Sequence, residues 1–494
     1  MLSAVTHATT GVEPTSPAVR CRRVAARAII VLALGLAPGA LAAGSGAYPH
    51  LEDAVRLAAF DPVILGLLQD AGSAGTPAGT ASEESWLGLE EVDATIYNDL
   101  VTDILTQAEI GYNRPGEFRP ESRRAFKAGD LLVYPYLQQR FGYNDNIFLE
   151  DGEDDGDPAT DDDEDEDIYS LTRFGLLGRI SFAQGDHNIE LGGEASWNQF
   201  FDESDDSYFE GTAGAAWNFR SGSVYGKIAD RFERREDPIE IALSNDLFRR
   251  NINTANGILG VDFDSFNIEG EANWENNDFT DSSFEFLNRD EYWGSIRPGI
   301  YLNPDLRLFV EGVYGEREMD DDGGINNSYW VEGSVGVTGE IAEHLSGRVQ
   351  AGVIHETFDD NGTLDDLDDD HDDAVAVAVV RYEASNDTTV DTSFLRTQQF
   401  SVIGNYQVLN RADVTITHVL YPNLLGRVGG FAEHANVSNG NSIYRYGIGV
   451  GLKYRITSYL DLDADYSFKD REVVDTPFGD YTNNIVSVGA TLQF

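Results

Sequence analysis

Basic residues are scarce in this sequence: 34 Lys and Arg stand against 86 Asp and Glu, a formal net charge of −52 over 494 residues. So acidic a chain repels phosphate backbones, which excludes nucleic acid as a partner. Cysteine is limited to Cys21, so the chain can form no internal disulfide and no cysteine-based metal centre. The 8 His are scattered, and neither G-x-S-x-G nor H-E-x-x-H occurs. His355 and His418 fall in strand-like segments where a lipid-face Ser–His pair is conceivable, but no partner serine is legible. The expectation is a protein that is not an enzyme and carries no metal or cofactor. Beyond residue 42 there is also no run of about 20 apolar residues, so no helix is expected to span a bilayer.

Cys21 itself lies in an export signal. Arg20, Arg22, Arg23 and Arg27 precede an apolar stretch from Ala28 to Ala37, and Ala40-Leu41-Ala42 forms an A-x-A exit. Residues 1–42 are therefore expected to be removed. Cys21 precedes the apolar stretch, so it is no lipid-acceptor site. Residues 43–127 form a leader, with a helical piece at 51–72 and a flexible linker at 73–82.

What the chain has in quantity is acid in blocks, glycine and aromatics. The acid collects in "LEDGEDDGDPATDDDEDED" (149–167), "EMDDDGG" (318–324) and "DDNGTLDDLDDDHDD" (359–373). Such blocks are solvated loops, and none has the spacing of an EF-hand. The segments between them are rich in glycine and aromatics, of which the whole chain has 50 Gly, 26 Phe, 22 Tyr and 6 Trp. From Asp130 onward the pattern is strict alternation. "LDLDADYSF" (460–468) sets Leu460, Leu462, Ala464, Tyr466 and Phe468 on one face and Asp461, Asp463, Asp465 and Ser467 on the other. "FNIEGEANW" (266–274) and "NIELGGEASW" (188–197) repeat the arrangement. Period-two alternation means a strand between two different environments.

About eighteen such segments of roughly ten residues each can be counted, with sixteen as the alternative. Short turns ("RSGS", "NPD", "YPN") and long polar loops alternate along the chain. That parity belongs to an all-β, up-and-down antiparallel barrel over residues 128–494. Eighteen strands enclose a lumen too wide for side chains to fill, so the charged face must line it and the apolar face must meet lipid. The expected location is the bacterial outer membrane, with outer-membrane lipid as first partner. Trp197, Trp274, Tyr301, Tyr314, Tyr454 and Phe494 fall near strand ends and suit an interfacial girdle. The last strand, "VSVGATLQF", is expected to pair with Leu131–Phe141 and close the barrel, its terminal Phe494 serving as a signal to the outer-membrane assembly machinery.

The segment "FKAGDLLVYPYLQQRFGYNDNIF" (126–148) joins a Gly, a strand carrying Tyr-Pro and a closing Tyr-Asn-Asp-Asn. With the basic stretch "DRFERREDP" (230–238), it resembles an outer-membrane β-barrel porin family found with bacterial exopolysaccharide and capsule loci. The likeness covers roughly residues 115–494 and lies more in architecture than in letters; the acidic insertions and the leader depart from the family pattern. It implies a pore that passes or guides a hydrophilic solute or polysaccharide. The alternatives are a general diffusion porin, or a closed structural or adhesive barrel with cation-binding acidic loops.

By alternation, Arg140, Lys227, Arg231, Arg307, Glu311, Arg348, Gln350, Arg427, Arg445, Lys453, Asp461, Asp463 and Asp465 face the lumen. Such residues either select solutes or brace the wall as cross-strand pairs. The third external connection, "RREDPIEIALSNDLFRRN" (234–251), is long, partly apolar and flanked by Arg234, Arg235, Arg249 and Arg250. It is the candidate constriction loop.

Overall fold

The computed structural model describes residues 126–128, 131–147, 166–182, 187–201, 207–238, 247–280, 284–320, 327–358, 370–401, 405–438, 440–474 and 480–493. The signal peptide, the leader up to residue 125, the centres of the acidic blocks and Phe494 lie outside the described residues. Among the described residues, nineteen strands form one antiparallel sheet. They are β1 (Phe126–Ala128), β2 (Leu131–Asn144), β3 (Asp167–Phe182), β4 (His187–Phe200), β5 (Tyr208–Ser221), β6 (Val224–Pro238) and β7 (Leu247–Asp262). Next come β8 (Phe266–Phe279), β9 (Arg289–Asn303), β10 (Leu306–Met319), β11 (Ser328–Ala342), β12 (Leu345–Phe358) and β13 (Asp370–Ser385). The last are β14 (Thr388–Phe400), β15 (Tyr406–Tyr421), β16 (Leu424–Val437), β17 (Ser442–Arg455), β18 (Leu460–Val474) and β19 (Tyr481–Gln493). Strands β2 to β19 form a closed barrel of eighteen, because β19 pairs with β2 from Ile485↔Asn144 to Gln493↔Tyr136. No helix among the described residues is long and apolar enough to cross a membrane.

An open strand edge in lipid would leave backbone groups unpaired, and two devices complete the seam. Below the end of β19, β1 pairs Phe126↔Val133 and Ala128↔Leu131 on the same edge of β2. The sheet therefore begins two residues before the expected boundary at 128. At the external end, the Tyr-Asn-Asp-Asn motif locks onto β19. Asp145 accepts from the Asn484 side chain at 2.6 Å, Asn146 donates to the Thr482 carbonyl at 3.1 Å, and Asn483 donates to the Asn144 side chain at 2.9 Å. We expect Asp145→Ala to lower the temperature at which the folded band converts to the unfolded one in heat-modifiable gel migration. An unchanged conversion temperature would count against the latch.

The usual burial order is inverted. Arg297, Arg348, Glu233, Glu269 and Glu275 are among the most buried side chains, while Ile296 is 59% exposed and Val353 66%. Polar residues form the interior and an apolar band faces out, as a lipid-embedded barrel requires. Ile296 sits midway along β9 on that band, so Ile296→Arg should cost about 2–4 kcal/mol in a reversible unfolding assay from vesicles. Trp197, Tyr314 and Tyr454 are exposed on the outer face as expected. Tyr301 is a correction: it faces inward and donates to Asp262 at 2.8 Å. It lies on the same face of β9 as Arg297 and pairs in register with the inward Arg307.

The abundance of glycine has a packing cause. The Tyr136 ring lies over Gly175 and the Trp330 ring over Gly315, each on the register-paired strand. A Cβ at either glycine would overlap the ring. Glycine thus lets lumen aromatics lie flat against the wall, and Trp330 owes its position to this.

Candidate functional site: a charge-lined lumen crossed by a hairpin

The residues expected on the inner face point inward, and many of them sit in ion-paired networks. Arg140 pairs with Asp463 at 2.6 Å and Asp465 at 3.0 Å, reaching them across Gly489, where a Cβ would collide with the Asp463 carboxylate. Arg231 pairs with Glu233 at 2.6 Å, and Asp461 with Arg455 at 2.9 Å. Arg348 pairs with Glu311 at 2.8 Å, and Gln350 donates to Glu311 at 2.9 Å and Ser334 at 2.6 Å. Arg445 pairs with Glu433, and Arg307 lies 5.9 Å from the Phe309 ring centroid. Lys227, Arg427 and Lys453 share the same face by register, opposite Asn218, Thr417 and Asp463 respectively.

One network includes a residue absent from those expectations. Arg297, 2% exposed, pairs with Glu269 at 2.5 Å and with Glu311, and lies 3.5 Å from Glu271. One strand on, Arg317 pairs with Glu291 and Glu356, both at 3.1 Å. Alternation along β9 and β10 carries the signal for both residues.

The third external connection is shorter than its sequence suggests. Pairing runs to Arg234↔Asn251, Arg235↔Arg250 and Glu236↔Arg249, so all four arginines belong to β6 and β7. Arg235 and Arg250 share the inward face with Glu233, while Arg249 pairs with Glu236 on the other face at 2.7 Å. What is left of the connection, residues 239–246, lies outside the described residues.

A different segment enters the lumen. β13 stays paired with β12 up to Thr357↔Asp370, but with β14 only up to Ala376↔Arg396. β14 and β15 remain paired to Phe400↔Tyr406, so this hairpin leaves the wall and turns inward. Phe400 packs with Phe279, Leu287 and Met319 on the far side, between the Arg289 and Arg317 guanidinium groups at 4.6 and 5.5 Å. Gln398 donates to Glu356 at 2.6 Å. Tyr406 stacks on His371 and Phe358. Arg396 sutures the split, bonding Asp373 at 2.6 Å, Asn410 at 2.8 Å and the Ala374 carbonyl at 3.0 Å. Loss of alternation at 393–400, where nearly every residue is buried, is the sequence trace of this hairpin.

His355 and His418 are exposed on the outer face, bonded to Asp372 at 2.9 Å and Thr388 at 2.8 Å. Neither is bonded to a serine among the described residues.

A family model described as "Putative beta-barrel porin 2" matches residues 123–494. The chain belongs to that family. The porin is also similar in fold to OccAB3 of Acinetobacter baumannii, at 12% identity and a TM-score of 0.40, covering 73% of this chain and 99% of the other. OpdK of Pseudomonas aeruginosa, solved with vanillate, is similar at 10% identity and a TM-score of 0.41, with the same coverage. No curated protein matches the sequence. The protein is thus an outer-membrane β-barrel of a porin family, embedded in outer-membrane lipid.

Proposed function

We propose that this porin is a non-enzymatic channel for small hydrophilic solutes, its bore set by the inward β14–β15 hairpin. The observation that carries the reading is Phe400, which stands at the end of β14 beyond its last pairing with β13 and is seated against the ends of β8, β9 and β10. The lumen charges, Arg140, Lys227, Arg231, Arg307, Glu311, Arg348, Arg427, Arg445 and Lys453 among them, brace the wall in pairs and filter solutes by sign and size. The resemblance carried by residues 126–148 and 230–238 is what supports a link between the transported solute and exopolysaccharide production. A threading polymer would require the hairpin to leave the lumen, so a small solute fits the geometry better.

A closed structural barrel is the second reading, favoured by the apolar seat of Phe400. Single-channel recording in planar bilayers separates the two: the channel reading expects discrete conductance steps, and an electrically silent, correctly folded barrel sinks it. Unchanged polysaccharide export after deletion of the gene would remove the exopolysaccharide link.

A further inference from the structure

Where the hairpin meets the wall of β8 to β13, it encloses a cavity of about 110 Å³. Its lining includes Trp293, Trp330, Glu332 and Gln399. Gln399 comes from the hairpin, is 6% exposed, and neither atom of its amide has a hydrogen-bond partner. Leaving such a buried amide unsatisfied costs on the order of 1–3 kcal/mol. Natural structures tolerate that where a ligand or water completes the bonding.

The other groups narrow the ligand. Glu311, Glu291 and Glu356 also line the cavity, but each is matched to an arginine: Glu311 to Arg297 and Arg348, the other two to Arg317. Glu332 forms no ion pair among the described residues, and its hydrogen bond is to Ser334. Its carboxyl keeps acceptor positions beyond that bond. The two indoles add flat apolar walls, which suit a molecule with a C–H face.

An anion would meet the Glu332 carboxylate. An organic cation would suit Glu332 and the indoles, but it would face Arg317 and Arg396 and leave the Gln399 N–H donors unpaired. A neutral molecule bearing several hydroxyl groups donates to Glu332 and to the Gln399 oxygen and accepts from the Gln399 nitrogen. A cavity near 150 Å³ holds one benzene ring, so this one takes a compact guest. We propose that the chamber is a binding subsite for a small neutral polyol no larger than glycerol. The subsite rests on the channel reading only for how its ligand arrives.

The test is equilibrium titration of the purified full-length protein in detergent with glycerol, ethylene glycol and, as the cationic control, tetraethylammonium, read by tryptophan fluorescence. The expected result is a saturable change with glycerol or ethylene glycol and none with tetraethylammonium. Gln399→Leu should weaken it about tenfold, and Trp330→Phe should reduce its amplitude, with heat-modifiable migration preserved in both. Absence of saturation with both polyols overturns the proposal. So does equal affinity in Gln399→Leu, or saturation by tetraethylammonium. If Gln399→Leu fails to fold, Trp330→Phe carries the test, and an amplitude equal to wild type overturns it. Because the readout is binding, a silent barrel that binds polyol loses only the channel reading. A conducting barrel that binds none loses only the subsite.

Discussion

Replacing residues 398–408 with a two-residue Asn-Gly turn should raise single-channel conductance severalfold. The excision starts where the wall is sound: Thr397 and Leu409 are register partners, so a tight turn can join them without shifting either strand. Below that point β14 keeps its pairing to β13 from Ser385↔Thr388 to Ala376↔Arg396, and Arg396 keeps its bonds across the split. What disappears is the plug: the Phe400 seat, the Gln398–Glu356 bond and the Tyr406 stack on His371. The cost is two small apolar clusters, modest beside the interstrand ladder, so heat-modifiable migration should survive. Conductance equal to that of the full-length chain would mean that the bore is set elsewhere, with residues 239–246 the next suspect.

The sequence was informative wherever one physical rule acted alone. Alternation in 188–197, 266–274 and 460–468 reports a strand between lipid and water, and those faces stand as read. The eighteen-strand closure follows from the same rule applied along the chain. Tyr301 went the other way because alternation along β9 puts it on the inward face with Arg297, and an aromatic near a strand end can hydrogen-bond inside the lumen as well as sit in a girdle. The 234–251 segment looked like a loop because its arginines and acids are polar on both faces. Pairing across β6 and β7 decides the matter, and alternation does not report pairing. The hairpin was hidden for the opposite reason. Inside the lumen both of its faces touch protein, so residues 393–400 lose the two-environment pattern that made the other strands legible. The Tyr-Asn-Asp-Asn motif was visible as a motif, but its partners Thr482, Asn483 and Asn484 lie at the far end of the chain.

Arg297→Met should destabilise the barrel by about 3–5 kcal/mol, measured by reversible urea unfolding from lipid vesicles. Arg297 is 2% exposed, and Glu269 beside it is 1% exposed. Removing the guanidinium leaves the Glu269 charge buried without that counter-ion, whereas Glu311 still has Arg348 at 2.8 Å. The penalty therefore belongs mostly to Glu269, and that assignment can be tested separately. In Arg297→Met/Glu269→Gln the stranded charge is gone, so the double variant should recover much of the loss, a non-additivity expected of residues in one network. Arg297→Lys should fall between the two, since a lysine keeps the charge but cannot fork toward Glu269 and Glu311 together. A loss below about 1 kcal/mol for Arg297→Met would mean that lumen water solvates these carboxylates as it does surface pairs. The wall network would then brace little, and its charges would be left chiefly to act on passing solutes.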